Sequence, residues 1–152
     1  MEKKGLKFLI LLFYYSRPKM VLNALTSINK LEYKNFEVAF IDDGSDHPGK
    51  PIAEEHLKRS ILKKVKFYNT YDTIRQKIDR GGSEFGKVAN EVVKNSDADI
   101  VLMLCDDDAL FPDYLNYLNR FYLYNKRINY AYCKLKYYDP SKEAYTKAKA
   151  NE

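Results

Sequence analysis

The chain lacks tryptophan, and its 152 residues include only two cysteines, two histidines, six glycines and five prolines. Cys105 and Cys133 cannot build a disulfide framework. Each lies in an apolar, strand-like run, so both read as buried reduced thiols. His47 and His56 are too few and too far apart for a zinc site. A hydrophobic run long enough to span a bilayer is also missing. Leu6–Tyr15 follows Lys3-Lys4 as in a leader peptide, but Lys7 interrupts it and no small-residue cleavage site follows. That run reads as a core strand, and with the reduced thiols it points to a cytoplasmic protein. There is no Arg-rich block, internal repeat or low-complexity linker, which argues for one domain and against a nucleic-acid partner. The phosphate-cradling patterns G-x-x-x-x-G-K-[ST] and G-x-G-x-x-G are absent as well. A bound diphosphate would therefore be met by a metal ion and basic side chains.

What is present is the composition of a folded protein, 45% hydrophobic and 31% charged. Against 26 basic residues stand 21 acidic ones, and five of those acids sit in Asp42-Asp43 and Asp106-Asp107-Asp108. The remainder is strongly basic, a background that attracts nucleic acid, an acidic membrane or a phosphorylated small molecule without choosing among them. The 14 tyrosines suit a cleft or an interface, and self-association to cover a sheet edge is the expectation for the quaternary state.

Phe8–Tyr15 is continuously apolar, the pattern of a strand buried on both faces. Ser16-Arg17-Pro18 breaks it. Val21, Leu22, Leu25, Ile28 and Leu31 then recur at helical spacing and predict a helix over 19–31. Phe36–Ile41 predicts a second strand, closed by the turn sequence Asp42-Asp43-Gly44-Ser45. Ile52, Ala53, His56, Leu57 and Ile61 predict one helix, and Val65–Tyr68 a third strand. Asn69–Ser83 is polar, contains Gly81-Gly82 and reads as a mobile surface loop. Phe85, Val88, Ala89, Val92 and Val93 mark a further helix. Ile100–Cys105 reads as the most deeply buried strand and runs straight into three aspartates. Pro112 is placed for the first turn of a helix carrying Tyr114, Leu115, Leu118, Phe121 and Tyr122. Ile128–Tyr137 alternates as a final strand, ending a domain of residues 1–140, and residues 141–152 read as a fraying tail.

Such alternation predicts an α/β sandwich, a mainly parallel central sheet flanked by helices. With the second and fourth strands parallel, both acidic clusters leave the sheet at its carboxyl edge, where such sheets bind ligands. Three successive carboxylates repel one another there, each close pair costing about a kcal/mol or more at intermediate dielectric. A divalent cation removes that repulsion, and Mn²⁺ or Mg²⁺ suits one or two carboxylates with diphosphate oxygens and water. The plainer reading is a loop in which Asp108 caps the helix after Pro112. Asp42-Asp43-Gly44-Ser45 alone is a common turn. Beside the second cluster its carboxylates suit a base N–H or a ribose hydroxyl, with a ring from Tyr14-Tyr15 for stacking. Arg75, Lys77, Arg80 and Lys87 surround the loop that would close over a diphosphate, and each also reads as a solvated charge.

The order strand, Tyr-x-Arg-Pro, amphipathic helix, Asn-Phe-Glu-Val-Ala-Phe-Ile-Asp-Asp-Gly-Ser, Gly-Lys-Val-Ala-Asn-Glu and Ile-Val-Leu-Met-Leu-Cys-Asp-Asp-Asp-Ala-Leu-Phe-Pro-Asp-Tyr-Leu resembles a known family. It is similar to the nucleotide-sugar-binding half of family-2 glycosyltransferases with the GT-A fold, over residues 6 to 138. The resemblance implies a single GT-A-like, Rossmann-like sandwich and a UDP-sugar donor, UDP-glucose or UDP-galactose first. It also implies Mn²⁺ or Mg²⁺ at a DxD-type motif, and a glycan or lipid-linked sugar as acceptor. Tyr15 corresponds to the aromatic that packs on the base, and Asp42 or Asp43 to the carboxylate that reads uracil. Asp106 corresponds to a ribose or sugar contact, Asp107 to the metal ligand with Asp108 in support, and Asn90 to the family's asparagine before that strand. Arg17 and Arg80 complete the expected donor-binding set.

On this resemblance, the metal would act as a Lewis acid on the leaving nucleoside diphosphate, and a carboxylate would deprotonate the acceptor for inverting displacement. The chain departs from the family pattern at Phe13-Tyr14, where a small polar residue is usual. It departs again at Val88-Ala89-Asn90, which replaces Ala-Arg-Asn, and at Cys105, which replaces an aspartate. The family's acceptor-binding segment, with its catalytic base, has no counterpart after Asp108. Asp113, Asp139, Glu143 and Glu152 do not fit that role, so no catalytic residue is assigned. Two readings follow. One is a minimal transferase that transfers the sugar or slowly hydrolyses the donor. The other is a non-catalytic nucleotide-sugar-binding module, or the donor half of a split enzyme. A phosphoacceptor regulatory domain is disfavoured, because its acidic pair would follow the first strand.

Overall fold

The computed structural model describes residues 5–131, 136–139 and 144–147. Strands β1 (Phe8–Tyr14), β2 (Phe36–Asp42), β3 (Val65–Asn69) and β4 (Ile100–Cys105) form a parallel sheet in the order β3-β2-β1-β4. The helices are α1 (Val21–Lys30), α2 (Gly49–His56), α3 (Arg59–Leu62), α4 (Ile74–Arg80), α5 (Phe85–Lys94) and α6 (Tyr114–Tyr124). Two further strands, β5 (Lys136–Asp139) and β6 (Ala144–Lys147), pair antiparallel with each other. This is the expected α/β sandwich with a parallel central sheet.

β1 is apolar throughout because it is flanked by β2 and β4 and covered on both faces. Its side chains alternate between two cores. Phe8, Ile10, Leu12 and Tyr14 meet Val38 and Phe40 of β2, Leu104 of β4, and buried residues of α1, α2, α3 and α6. Leu9 and Leu11 face the other way, with Ala39 and Ile41, against Ala89 and Val92 of α5. The first core is the larger, and α1 supplies much of it through Val21, Ala24, Leu25 and Ile28. That helix starts two residues later than its spacing predicts. Residues 18–20 form a turn in which the Met20 and Val21 amides donate to the Arg17 carbonyl.

Elsewhere the elements differ from expectation for local reasons. The single helix predicted across Ile52–Ile61 is two, because Leu57 and Lys58 are extended. Asn29 holds that break, accepting the Lys58 amide at 2.9 Å and donating to the His56 carbonyl at 2.8 Å. The segment read as a mobile loop contains α4. Its start is a capping box, Thr73 with Gln76, and its end is Gly81 in the left-handed region at φ 73°. Pro112 sits in the turn before α6 instead of its first helical turn, and Asp113 rather than Asp108 occupies the N-cap position.

β4 is not the most buried strand. It forms one edge of the sheet, pairing among the described residues with β1, and Val101 and Met103 are 41% and 71% exposed. Cys105, expected to be buried, is exposed, and Cys133 lies outside the described residues. Of the predicted final strand, residues 128–131 are not strand and 132–135 lie outside the described residues; β5 starts at Lys136. β6 falls within the stretch read as a tail. Among the described residues, no helix is long and apolar enough to cross a membrane.

Candidate functional site

Parallel register assembles the site. Tyr14 stands opposite Asp42 and Phe13 opposite Cys105, so the residues that follow each strand emerge together at the carboxyl edge. β1 is joined to β2 on one side and to β4 on the other, which places a crevice where the strand order reverses. Tyr15-Ser16-Arg17 line one side of that reversal and Asp106-Asp107-Asp108 the other.

Asp106, 1% exposed, ties the two sides together. Its Oδ2 accepts the Tyr15 amide at 3.1 Å and the Arg17 Nε at 3.3 Å, and its Oδ1 accepts from Arg17 Nη2. Arg17 Nη1 reaches Asp107 Oδ2 at 2.9 Å. Burial works against the Arg17 charge, but Asp106 and Asp107 hold its pKa above the ordinary guanidinium value. The repulsion within the triplet is thus partly offset by an arginine of the same chain. Between Tyr15 and Arg17, Ser16 takes a left-handed φ of 47°, a conformation costly for a residue with a side chain. It is held by the Ser45 hydroxyl, which accepts the Ser16 amide at 2.9 Å, and by its own hydroxyl, which accepts the Asp46 amide at 3.0 Å.

Asp107 and Asp108 are exposed, and their carboxylates and the Cys105 thiol bring ligand atoms within 4.8 Å of one another. Burial, with Asp107 beside it, raises the Asp108 pKa. Burial and the three aspartates likewise push the Cys105 thiol up. The two exposed carboxylates fit a hard divalent cation completed by ligand oxygens.

The acidic pair divides. Asp42 is buried, and both its oxygens serve the loop's own backbone: Oδ1 accepts the Ser45 amide and Oδ2 the Gly49 amide, each at 2.9 Å. Asp43 is partly exposed and gathers a second network. Its Oδ1 accepts from the Ser83 hydroxyl and, at 3.2 Å, from Thr70 Oγ1; its Oδ2 accepts Lys77 Nζ at 2.8 Å. The same ammonium lies 4.1 Å from the centroid of the Tyr15 ring. Gly44 is required here twice over, for its φ of 69° and because a Cβ would come within 2.2 Å of the Asp72 carbonyl oxygen. Asp72, buried, accepts from Arg80 Nη2 and from the Glu84 amide at 3.2 Å. Burial alone would raise the Asp72 pKa, but the Glu84 amide and the Arg80 charge bring it below the ordinary value.

The crevice thus brings together Tyr15, Arg17, Asp43, Asp106 and Asp107, with Asp108 beside them and Asp42 beneath. Arg80 braces the loop through Asp72. Asn90 lies exposed on α5, outside this network. Tyr14 belongs to the core: its hydroxyl donates to the His47 carbonyl at 2.7 Å, and burial, with Asp42 and Asp106 nearby, pushes its pKa up to about 12. Thr70, Asp72 and Ser83 are not singled out by sequence reasoning. Isolated hydroxyls and one aspartate in a polar stretch carry no spacing signal, and only their contacts with Asp43 and Arg80 reveal them.

The model of the family described as Glycosyl transferase family 2 matches residues 9–150. No curated protein matches the chain. Among solved structures, the chain is similar to S. aureus TarS 1-349, with a TM-score of 0.63 and 22% identity over 79% of this chain and 33% of that one. It is similar also to S. aureus TarS 1-349 in complex with UDP (TM-score 0.63, 21% identity, 79% and 33% covered) and in complex with UDP-GlcNAc (TM-score 0.59, 18%, 79% and 32%). The chain spans about a third of the length of these structures. With an Asp-Asp-Gly-Ser turn and an acidic triplet at the carboxyl ends of the two strands that flank β1, and a family model matched over nearly its whole length, the chain belongs to glycosyl transferase family 2.

Proposed function

We propose that this domain binds a uridine diphosphate sugar in the crevice between β1 and β4 and presents it for transfer to an acceptor hydroxyl on a glycan or lipid-linked sugar. The observation that carries the reading is the convergence of the half-exposed Tyr15 ring, the Asp43 carboxylate and the Asp106–Asp107 pair at one sheet edge. Each suits one part of such a ligand. The ring suits the face of uracil, Asp43 its N–H edge, and Asp106 with the Tyr15–Arg17 turn the ribose. Asp107 and Asp108 would hold a divalent cation, which supplies charge neutralisation to the diphosphate when bound. Arg17, already paired with Asp106 and Asp107, orients both carboxylates and keeps a positive charge beside the diphosphate. Transfer would proceed by direct displacement with inversion at the anomeric carbon. The bound UDP and UDP-GlcNAc of the TarS structures support a UDP-sugar donor.

Calorimetric titration with UDP, in Mn²⁺ and then in EDTA, with ADP and GDP as controls, tests the reading. The expected result is metal-dependent, uracil-selective binding that Asp107→Ala weakens at least about tenfold while the melting temperature stays nearly constant. Equal binding of all three nucleotides, or a loss of folding in the variant that matches its loss of binding, would reject it. UDP-glucose, UDP-galactose and UDP-GlcNAc tried side by side then read the sugar preference. Binding without transfer or hydrolysis of any of them would assign the chain as a donor module.

A further inference from the structure

We propose that Lys77 is a placeholder for the ligand base, seated in the base site of the free protein and displaced when the base arrives. The inference rests on the reading of Tyr15 and Asp43 as the base-binding pair. Both features that a base would use are already taken by one side chain. The Lys77 ammonium lies 4.1 Å from the Tyr15 ring centroid, in the layer over the ring that a stacked base would fill. It donates to Asp43 Oδ2 at 2.8 Å and to the Asp43 carbonyl, so the carboxylate oxygen open to a base N–H is also occupied.

The helix that carries Lys77 is built to move. None of the seven residues of α4 is buried, and Ile74 and Ile78 are 55% and 72% exposed. Lys77 is its least exposed position, with 16% of the side chain accessible. The helix is held to the domain by charge, Lys77 on Asp43 and Arg80 on Asp72, and not by an apolar face. Its own ends are closed by the Thr73–Gln76 capping box and by Gly81. It can therefore lift from the crevice without opening the core, and a seven-residue helix so freed frays and admits a protease. A base enters only the fraction of molecules in which Lys77 has left, so apparent affinity falls by that fraction. A neutral base that donates an N–H to Asp43 and stacks on Tyr15 replaces both contacts that the ammonium gives up. A ligand able to make only one of them does not.

Uridine is the probe, because it carries no phosphate that the Lys77 charge could attract. It is titrated into the wild type, Lys77→Met and Tyr15→Ala, and tryptic cleavage at Arg75 and Arg80 reports the lifting of α4. The expected result is that Lys77→Met binds uridine about fivefold to tenfold more tightly. Cleavage within α4 is expected to be faster in the ligand-free variant, and faster in the wild type once uridine saturates it. That last sign is opposite to the protection a ligand ordinarily confers. Equal or weaker uridine binding by Lys77→Met, with binding lost in Tyr15→Ala, would overturn the placeholder and leave the base site standing. Uridine binding by neither wild type nor Lys77→Met would overturn the base site itself, and the placeholder with it.

Discussion

α1 and α4 are both short helices of this domain, and they are attached to it by opposite means. α1 has no side-chain cap at its start and no acidic residue in its first turn, yet Val21, Ala24, Leu25 and Ile28 are wholly buried against the sheet. α4 is well capped at both ends and buries nothing. One helix is made by tertiary packing and cannot leave without opening the core; the other is made locally and docked by two ion pairs. Position in the fold and stability as a helix are separate properties, and the site uses both. The Tyr15–Arg17 turn leads directly into the immovable helix, while the side chain covering Tyr15 rides on the movable one.

The sharpest way to break this contrast is in the core. Leu25→Ala should lose about 3 kcal/mol of unfolding free energy by urea titration, because a fully buried leucine leaves a cavity the sheet cannot close. Next comes the junction between the regions. Gly44→Ala drives a Cβ into the Asp72 backbone at a positive φ and should cost about 2 kcal/mol, with faster proteolysis of the segment after Asp72.

A smaller effect is expected at Asp72 itself, where Asp72→Asn should lower the melting temperature by a few degrees. Its pH signature has a definite sign. The folded pKa lies below the ordinary 3.8, so the carboxylate's contribution is complete above that value and is lost as pH falls through the lower folded value. The gap between wild type and Asp72→Asn should hold constant above about pH 5 and close in stronger acid. The least effect belongs to the exposed face of α4, where Ile78→Ser should change stability by no more than about 0.5 kcal/mol. A loss there comparable to Leu25→Ala would show that α4 is docked by burial after all.

The parts legible in the sequence were those with a repeating or clustered signal. β1 and β2 are long apolar runs, α1 and α5 carry helical stripes, and the two acidic clusters sit directly at strand ends. What stayed hidden had no such signal. α4 offers only the pair Ile74 and Ile78 as an apolar signal, too little to set a period, although Thr73-x-x-Gln76 and Gly81 mark its ends as capping residues commonly do. An apolar run states that a strand is hydrophobic but not which neighbours cover it, so β4 read as buried although it is an edge. The exposure of Cys105 follows from the same gap. Nor could adjacent aspartates be told apart by composition: Asp42 and Asp43 differ because one points its oxygens at the amides of Ser45 and Gly49 and the other meets Lys77.

The register of the sheet carries a rule about change. Tyr14 against Asp42 and Phe13 against Cys105 are set by counting along parallel strands, and a strand's side chains alternate every second residue. Adding or removing one residue within β1 would turn Tyr15 away from Asp43 and Asp106 and reverse the two cores at the same stroke. Residues gained or lost between Asn69 and Phe85 shift no strand. Changes of length there move Thr70, Asp72, Lys77 and Ser83 but leave the register intact, so descendants of this chain can vary more in the length of what covers the crevice than in the length of what builds it.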